Sequence, residues 1–470
     1  MPGGTGSQTS SSSVVSHFES LKRSKTCRRW QNTLPACPNN TQPLGLRQAP
    51  PAEWVLTWVF PILAIECPPK SRHMWPRKRL DITWIDLAAG QWACGFSWNR
   101  QRLASRLETA WISPETGLAT LSVRSGLHLL LMNADWPAGS EILMSAMTIP
   151  DMARIVRQHG YVAVPVELDL ETAAPTVASL EQATTTRTRA MIIAHLFGTR
   201  IPMQEILEFA DRNELDVIED CAQAYVGPEW TGTAGALASL FSFGTIKTAT
   251  AIGGGLLTLG KKDLRRQLAE SQATWPVQRR AVYTRRIARS FVLKWLSQRS
   301  AFAMFRLACR IFGQDYDTIL NRSVRGFPGD DLVAQIEHTP STPLLALMLR
   351  RLEQFRCGRL QRRIEVGQRL LAACGESVEI LGHRGAQNSF WVVPVLASDP
   401  PALIETLRHA GFDATRGASM EIVAALPDRE DTAPRIREAF DRIVYLPLYP
   451  DMPDREIDRL GTIVRGSGTA

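Results

Sequence analysis

The 470-residue chain lacks any long hydrophobic run. A membrane-spanning helix needs about 20 consecutive apolar residues, whereas the nearest approach, from Trp54 to Ile65, is short and interrupted by Pro61. The chain begins with a Gly- and Ser-rich stretch and not with a basic region ahead of an apolar core, so no secretory signal peptide is indicated. The sequence therefore predicts a cytoplasmic protein without a membrane span.

The chain also lacks the paired cysteines and histidines that hold metals or build disulfide frameworks. Its 8 cysteines form no Cys-x-x-Cys pair, which leaves free thiols as the expectation. His195 has no further ligand at metal-binding spacing, so we predict a structural histidine and no metal. The glycine run at 253–255 has neither the dinucleotide nor the Walker pattern, and turns or close packing suffice to explain it.

Composition and the pattern of residue types divide the chain into three parts. Hydrophobic residues make up 44% and charged residues 21% of the chain, which is the balance of a globular protein of two or three domains. Residues 1–65 are of low complexity, and we predict a disordered arm. The arm could bind an anionic partner through its basic residues, but we favour a tail, or a mis-assigned start with Met74 as the true initiator.

From about Leu118, short apolar segments alternate with helical patterns, which is typical of a three-layer α/β domain with a mainly parallel sheet. We place this large domain at residues 66–330 and a smaller α+β domain at residues 331–470. The latter includes one long helix pattern, Leu344–Cys374. The predicted strands are Glu141–Met147, Tyr161–Leu168, Arg189–Phe197, Leu215–Asp220, Ala236–Phe243 and Gly254–Leu259.

The segment 261–312 carries an excess of positive charge, with 13 Lys and Arg residues against 2 acidic residues. Apolar residues recur among these bases, as on amphipathic helices. A membrane surface could attract such a segment, but it lacks the aromatic and basic motifs of nucleic-acid modules. We favour helices that pack on their own domain with the bases in solvent, and we predict no nucleic-acid partner.

The residues with the clearest chemical signal lie between Val217 and Gly255. Asp220 ends one predicted strand, and Ser242 and Lys247 follow near the end of the next. In open α/β sheets ligands bind at the carboxyl ends of strands, so these side chains and Gln223 should converge. A lysine, an acid and a hydroxyl suit pyridoxal phosphate (PLP), which needs an amine, a partner for its ring nitrogen and phosphate ligands.

This segment resembles the DegT/DnrJ/EryC1/StrS family of PLP-dependent sugar aminotransferases. The resemblance rests on two motifs, E-D-x-A-Q at 219–223 and S-F-x-x-x-K at 242–247, followed by the glycine run. Weaker agreement extends over about 123–464. The resemblance implies the aspartate aminotransferase fold, type I, and PLP as the cofactor.

The resemblance also implies roles for individual residues. Lys247 would form the Schiff base with the cofactor and later move the substrate proton. Asp220 would pair with the pyridinium nitrogen, and Gln223 would lie near the ring face or its 3-hydroxyl. Ser242 would bind the phosphate, and Ser125 and Gly126 would be further phosphate ligands.

The chain departs from the family pattern at three places. The threonine of the S-G-T-x-A-L helix start is absent at Arg124–Leu127, and Ile149 stands where the family has a ring-stacking aromatic. The N-Y-R segment that reaches the neighbouring subunit is not recognisable at 336–338. These departures weaken the match, and the contribution of the partner subunit to the site stays open.

The function that the resemblance implies is transfer of an amino group from glutamate or glutamine to a keto sugar nucleotide. Such a reaction serves polysaccharide or secondary-metabolite sugar biosynthesis, and the family implies a homodimer. Two alternatives stay open. One is a sugar dehydratase, although relatives of that kind have histidine where this chain has Lys247. The other is a degenerate PLP-fold protein that acts as a regulatory or membrane-surface scaffold.

Overall fold

The computed structural model describes residues 74–467, except 78, 97, 325, 326, 328–330 and 418. The predicted arm at residues 1–65 lies outside the described residues. The helices are α1 (Trp84–Cys94), α2 (Arg100–Trp111), α3 (Val123–Met132), α4 (Pro150–Gln158), α5 (Val177–Ala183), α6 (Gln204–Arg212), α7 (Lys262–Ala273), α8 (Arg280–Leu296), α9 (Arg299–Ile311), α10 (Tyr316–Val324), α11 (Leu332–Ile336), α12 (Thr342–Glu353), α13 (Cys357–Cys374), α14 (Pro400–His409), α15 (Pro434–Arg442) and α16 (Asp454–Gly466).

A seven-stranded sheet forms the centre, in the order β1-β9-β8-β7-β5-β2-β4. Strands β2, β4, β5, β7 and β8 are parallel, while β9 runs antiparallel to both β8 and β1. The strands are β1 (Gly117–Thr120), β2 (Glu141–Ser145), β3 (Met147–Thr148), β4 (Val162–Val166), β5 (Thr188–Ala194), β6 (Thr199–Arg200), β7 (Asp216–Asp220), β8 (Ala238–Ser242), β9 (Gly255–Leu259), β10 (Gln387–Asn388), β11 (Val393–Leu396), β12 (Glu421–Ile422) and β13 (Ile443–Leu446).

The predicted α/β fold class is confirmed, because helices cover a mainly parallel central sheet whose residues are nearly all buried. Buried parallel strands read as continuous apolar runs, which is why all six predicted strands agree with observed strands to within three residues. Burial of these apolar side chains from both faces stabilises the sheet. The sheet edge formed by the ends of β7 and β8 is thereby held in place.

The single long helix predicted from Leu344 to Cys374 is wrong. The chain forms two helices there, α12 and α13, and leaves helical geometry between Glu353 and Cys357. Phe355 lies in this break and packs edge-on against the buried ring of Tyr225, with ring centres 5.3 Å apart. The apolar periodicity of the sequence continues through this break and therefore predicts one helix, whereas tertiary packing turns the chain there.

The C-terminal part has an apolar core of its own, built from α13, α14, α16 and the antiparallel pair of β11 and β13. The boundary predicted at residue 331 stays a prediction, as does the extent of the two domains. No helix within the described ranges is both long enough and apolar enough to cross a membrane.

The basic segment 261–312 forms α7, α8 and α9. Helix α8 packs on α1 and α12, and its Tyr283 and Ile287 are fully buried. The expectation that these helices pack on their own domain is therefore confirmed. The expectation that the bases lie in solvent is wrong for Arg286, whose side chain is half-buried because its guanidinium lies against Gly253.

Candidate functional site

Two predicted site residues end adjacent parallel strands. Asp220 is the last residue of β7 and Ser242 the last of β8, and the two strands pair directly. The Asp220 carboxylate accepts a hydrogen bond from the backbone N–H of Ala222 at 3.0 Å. Burial raises the pKa of Asp220, against the opposing effects of this hydrogen bond and of the charges on Lys247 and His195. The carboxylate therefore lies in a poorly solvated place where a cationic partner would interact strongly.

Lys247 faces Asp220 from the loop that follows β8. Burial lowers the pKa of Lys247 to about 8, although the Asp220 carboxylate raises it. Its Nζ lies 4.2 Å from the centre of the Trp391 indole ring, and the indole N–H donates to the backbone carbonyl of Ile246 at 3.0 Å. Nucleophilic lysines require a lowered pKa, because only the neutral amine attacks a carbonyl carbon.

Gln223 has a backbone partner in the structure. Its Oε1 accepts a hydrogen bond from the N–H of Phe197 at 2.9 Å. Phe197 has a φ of +60°, which is unusual for a bulky residue, so this hydrogen bond holds a strained turn after β5. The predicted role of Gln223 at the cofactor ring stays a prediction.

The start of helix α3 approaches the same edge of the sheet. Ser122 caps the helix, and its side chain accepts from the N–H of Ser125. The Ser125 hydroxyl is fully buried and contacts the Ser122 hydroxyl at 3.0 Å. A Cβ on Gly126 would lie only 2.7 Å from Leu257, so this glycine allows close packing of α3 on β9. The phosphate roles of Ser125 and Gly126 stay predictions, because the Ser125 hydroxyl contacts Ser122 and Gly126 packs against Leu257.

Arg124 and Trp391 were missed by the sequence analysis as site residues. Arg124 occupies the second position of α3, forms an ion pair with Asp151, and its charge acts on both Asp220 and Lys247. Arg124 belongs to the helix start at 124–127. The absence of the family's threonine from that segment was the signal that could have drawn attention to it. Trp391 had no such signal, because 144 residues separate it from Lys247.

His195 lies close in space to metal-ligand residue types that are distant from it in the sequence. Tertiary folding places His195, Glu219 and Cys221, all buried, with their ligand atoms within 4.8 Å of one another. Hydrogen bonds account for this cluster. The Nε2 of His195 contacts Glu219 at 3.1 Å, and its Nδ1 accepts from the N–H of Ile201 at 2.9 Å. Burial raises the pKa of Cys221 well above its ordinary value, which disfavours the thiolate that a metal needs.

Replacing Glu219 by alanine should destabilise the fold by about 3 kcal/mol or more, because buried donors on Thr233, Ser239 and His195 would lose their acceptor. Glutamine should cost less, since it retains an acceptor. Denaturant unfolding would measure both effects, with Glu205→Ala on an exposed face as the control. Equal stabilities of the Glu219→Ala and Glu205→Ala proteins would contradict the prediction.

The same carboxylate gives a pH dependence with a defined sign. Hydrogen bonds and the His195 contact outweigh burial and lower the pKa of Glu219 from 4.5 to about 2. Its contribution to stability is therefore fully present above about pH 4.5 and is lost as the pH falls toward 2.

The chain was compared with known families and proteins. Residues 88–278 match the model of the DegT/DnrJ/EryC1/StrS aminotransferase family, which confirms the resemblance for that part of the chain. The GDP-perosamine synthase of Escherichia coli O157:H7 is 33% identical over 141 residues, 29% of this chain and 38% of that protein. The chain thus matches well under half the length of this curated relative.

Solved structures extend the likeness over most of the chain. Spr1654 from Streptococcus pneumoniae, assigned as a sugar aminotransferase and solved in its PMP form, gives a TM-score of 0.61 at 17% identity, covering 84% of this chain and 98% of that one. ColD, a GDP-4-keto-6-deoxymannose-3-dehydratase solved as a mutant with bound GDP-perosamine, gives 0.60 at 14% identity, covering 83% and 100%. At these identities the likeness establishes the fold alone.

Proposed function

We propose, from the match of residues 88–278 to the DegT/DnrJ/EryC1/StrS aminotransferase family, that this chain is a PLP-dependent aminotransferase acting on keto sugar nucleotides. The observation that carries the proposal is the placement of Lys247, whose pKa is lowered to about 8, beside the half-buried carboxylate of Asp220 at the carboxyl edge of the sheet. The proposed amino donor is glutamate or glutamine.

The residues at this edge fit PLP. Within the described residues no hydrogen bond reaches the second carboxylate oxygen of Asp220, so that oxygen is free for a cationic ring nitrogen. The first two N–H groups of α3, at Val123 and Arg124, have no intrahelical acceptor, as at any helix start, and such N–H groups bind phosphate. Bound PLP supplies an electron sink for a carbanion next to an amine.

Lys247 would hold the cofactor covalently through Nζ and, once displaced by the incoming amine, would move a proton between substrate and cofactor carbons. Trp391 positions it, since the indole face lies 4.2 Å from Nζ and the indole N–H is held by the chain just before the lysine. A lysine with a pKa near 8 suits this role, because a proton carrier works best near the operating pH.

Asp220 would keep the ring nitrogen protonated and so retain the electron sink. Its poorly solvated surroundings strengthen the interaction between carboxylate and ring cation. The Ala222 N–H holds the carboxylate oriented toward the interior of the site. Ser242 and Gln223 are proposed contacts to the phosphate and to the ring or its 3-hydroxyl.

The substrate class is supported by the relatives, since a GDP-perosamine synthase is the curated relative over 141 residues and ColD was solved with GDP-perosamine. We extend this to a role in polysaccharide or secondary-metabolite sugar biosynthesis in the cytoplasm. Lys247 distinguishes transamination from dehydration here, because the dehydratase branch has a histidine at that position.

We further propose that the protein is a homodimer. Helix α1 and the turn after it expose large apolar side chains, among them Trp92 at 67%, Trp98 at 53% and Ile85 at 70%. Contiguous exposed apolar patches of this kind mark interaction surfaces. Light scattering should give twice the chain mass, and Trp92→Glu combined with Trp98→Glu should shift the equilibrium toward the monomer.

The pH dependence of cofactor attachment should report the environment of Lys247. Only the neutral amine reacts, so the rate at which borohydride-trapped PLP accumulates should rise with pH and reach a plateau with a midpoint near 8. Asp220→Asn should shift the midpoint below 8, because the carboxylate raises the pKa of Lys247. A midpoint near the ordinary lysine value of 10.5 would contradict the prediction.

The function itself is tested by two measurements on the purified protein. The first is the visible absorption spectrum with added PLP, before and after borohydride, followed by mass analysis of the peptide that contains Lys247. The second is amine transfer from labelled glutamate or glutamine to keto sugar nucleotides. Transfer of label supports the proposal, loss of sugar oxygen without transfer indicates a dehydratase, and no covalent attachment favours the scaffold.

A further inference from the structure

Arg286 is a charged residue without an anionic partner. It lies on α8, in the basic segment, and its side chain is half-buried. No carboxylate among the described residues forms an ion pair with it, and its charged neighbours, Arg124 and Arg289, are both cations. Burial of an unpaired cation beside others is costly unless an anion balances it. The arrangement therefore indicates a bound anion.

The glycine run at 253–255 shows where the Arg286 guanidinium lies in the fold. Its Nη1 lies 3.5 Å from the position that a Cβ on Gly253 would occupy, so the absence of a side chain there leaves room for the arginine. The Gly253 N–H donates to the carbonyl of Phe243, directly after Ser242, and the Gly254 N–H donates to Leu121, directly before the helix cap. Arg286 thus adjoins both the end of β8 and the start of α3.

Arg124 is a second cation whose charge acts on Arg286. It is the second residue of α3, its ion pair with Asp151 orients it, and its charge acts on both Lys247 and Arg286. The helix start contributes two open N–H groups at the same place. Two guanidiniums and a helix N-terminus therefore contribute positive potential to the same part of the fold.

We propose that Arg286, from the basic segment, binds the phosphate group of the cofactor together with Arg124 and the first N–H groups of α3. This inference rests on the proposed function and assigns residues that the family motifs did not. Guanidinium groups bind phosphate through paired, charge-assisted hydrogen bonds. Arg124 keeps its ion pair with Asp151, so the phosphate would supply the anion that the Arg286 guanidinium lacks. The diphosphate of a sugar nucleotide has the same chemistry, and the test separates the two.

The test compares cofactor binding by Arg286→Gln, Arg286→Lys and wild type, with Arg285→Gln as the control on the exposed face of the same helix. Dissociation constants for PLP and for pyridoxal, which lacks the phosphate, are measured from absorbance changes. Arg286→Gln should weaken PLP binding about tenfold to a hundredfold. Binding of pyridoxal should be unchanged, Arg286→Lys should lie between, and Arg285→Gln should match wild type.

Thermal unfolding of the cofactor-free protein gives an independent readout. Inorganic phosphate should raise the melting temperature of wild type and should have little effect on Arg286→Gln. Without phosphate, Arg286→Gln should be at least as stable as wild type, because it removes an unbalanced buried charge. A fall in its melting temperature would indicate a structural role and overturn the proposal.

The remaining outcomes are also decisive. Equal weakening of PLP and pyridoxal binding, or no weakening at all, would overturn the proposal. So would unchanged PLP binding with a raised KM for the sugar nucleotide, which would assign Arg286 to the substrate diphosphate. If wild type fails to attach PLP, the proposed function fails and with it the cofactor assignment; phosphate stabilisation that depends on Arg286 would then show a bare anion site.

Discussion

Replacing Lys247 by alanine should abolish amine transfer, to below about a thousandth of the wild-type rate, because one side chain both attaches the cofactor and moves the substrate proton. The protein should still fold, since the lysine is only half-buried and makes no ion pair recorded among the described residues. The measurements are single-turnover transfer from labelled glutamate and the trapping of PLP by borohydride.

The control is Lys261→Ala, which removes an exposed lysine at the start of α7 and should leave both readings unchanged. Residual activity of Lys247→Ala within tenfold of wild type would exclude the mechanism proposed above. Loss of transfer with unaltered covalent trapping would mean that another lysine attaches the cofactor. Either result would require a different assignment of the site.

Asp220→Asn should lower the rate about a hundredfold to a thousandfold while PLP attachment persists. The reason is electrostatic, because an amide cannot hold the ring nitrogen protonated in this poorly solvated place. Asparagine can still accept the hydrogen bond from the Ala222 N–H, so the fold should be retained. The effect should appear in kcat, with a smaller change in KM, since the charge acts after binding.

Asp216→Asn is the matched control, because Asp216 begins the strand that Asp220 ends. Its carboxylate accepts from the indole N–H of Trp136, a contact that asparagine can also make. Asp216→Asn should therefore have wild-type kinetics. If both variants lose activity equally, the effect of Asp220→Asn would have to be attributed to the strand and not to the charge at its end.

Much of the α/β domain was predictable because its strands are buried on both faces. Segments such as Arg189–Phe197 and Ala236–Phe243 are near-continuous apolar runs; the observed β8 lies within the second, and β5 begins one residue before the first. Helices α1 and α2 were not predicted. Both helices depend on packing against α12. In α2, Leu107 and Trp111 are buried, while most of the other residues are polar.

The candidate site was predictable to the extent that its residues end adjacent strands. Asp220, Ser242 and Lys247 lie within 28 residues of one another in the chain, so the order of two neighbouring strands suffices to bring them together. Ser125 and Gly126 show the limit of motif spacing. The helix starts at Val123, which places Gly126 in its first turn, against Leu257.

The sequence by itself determined the type and order of the strands and the presence of a lysine and an acid at the end of two of them, because these follow from local apolar pattern and from neighbouring positions. Only the tertiary structure decided that Trp391 covers Lys247 and that Arg286 reaches the glycine run. Both contacts join distant parts of the chain. They depend on how helices and loops cross the sheet, and local periodicity carries no information about that.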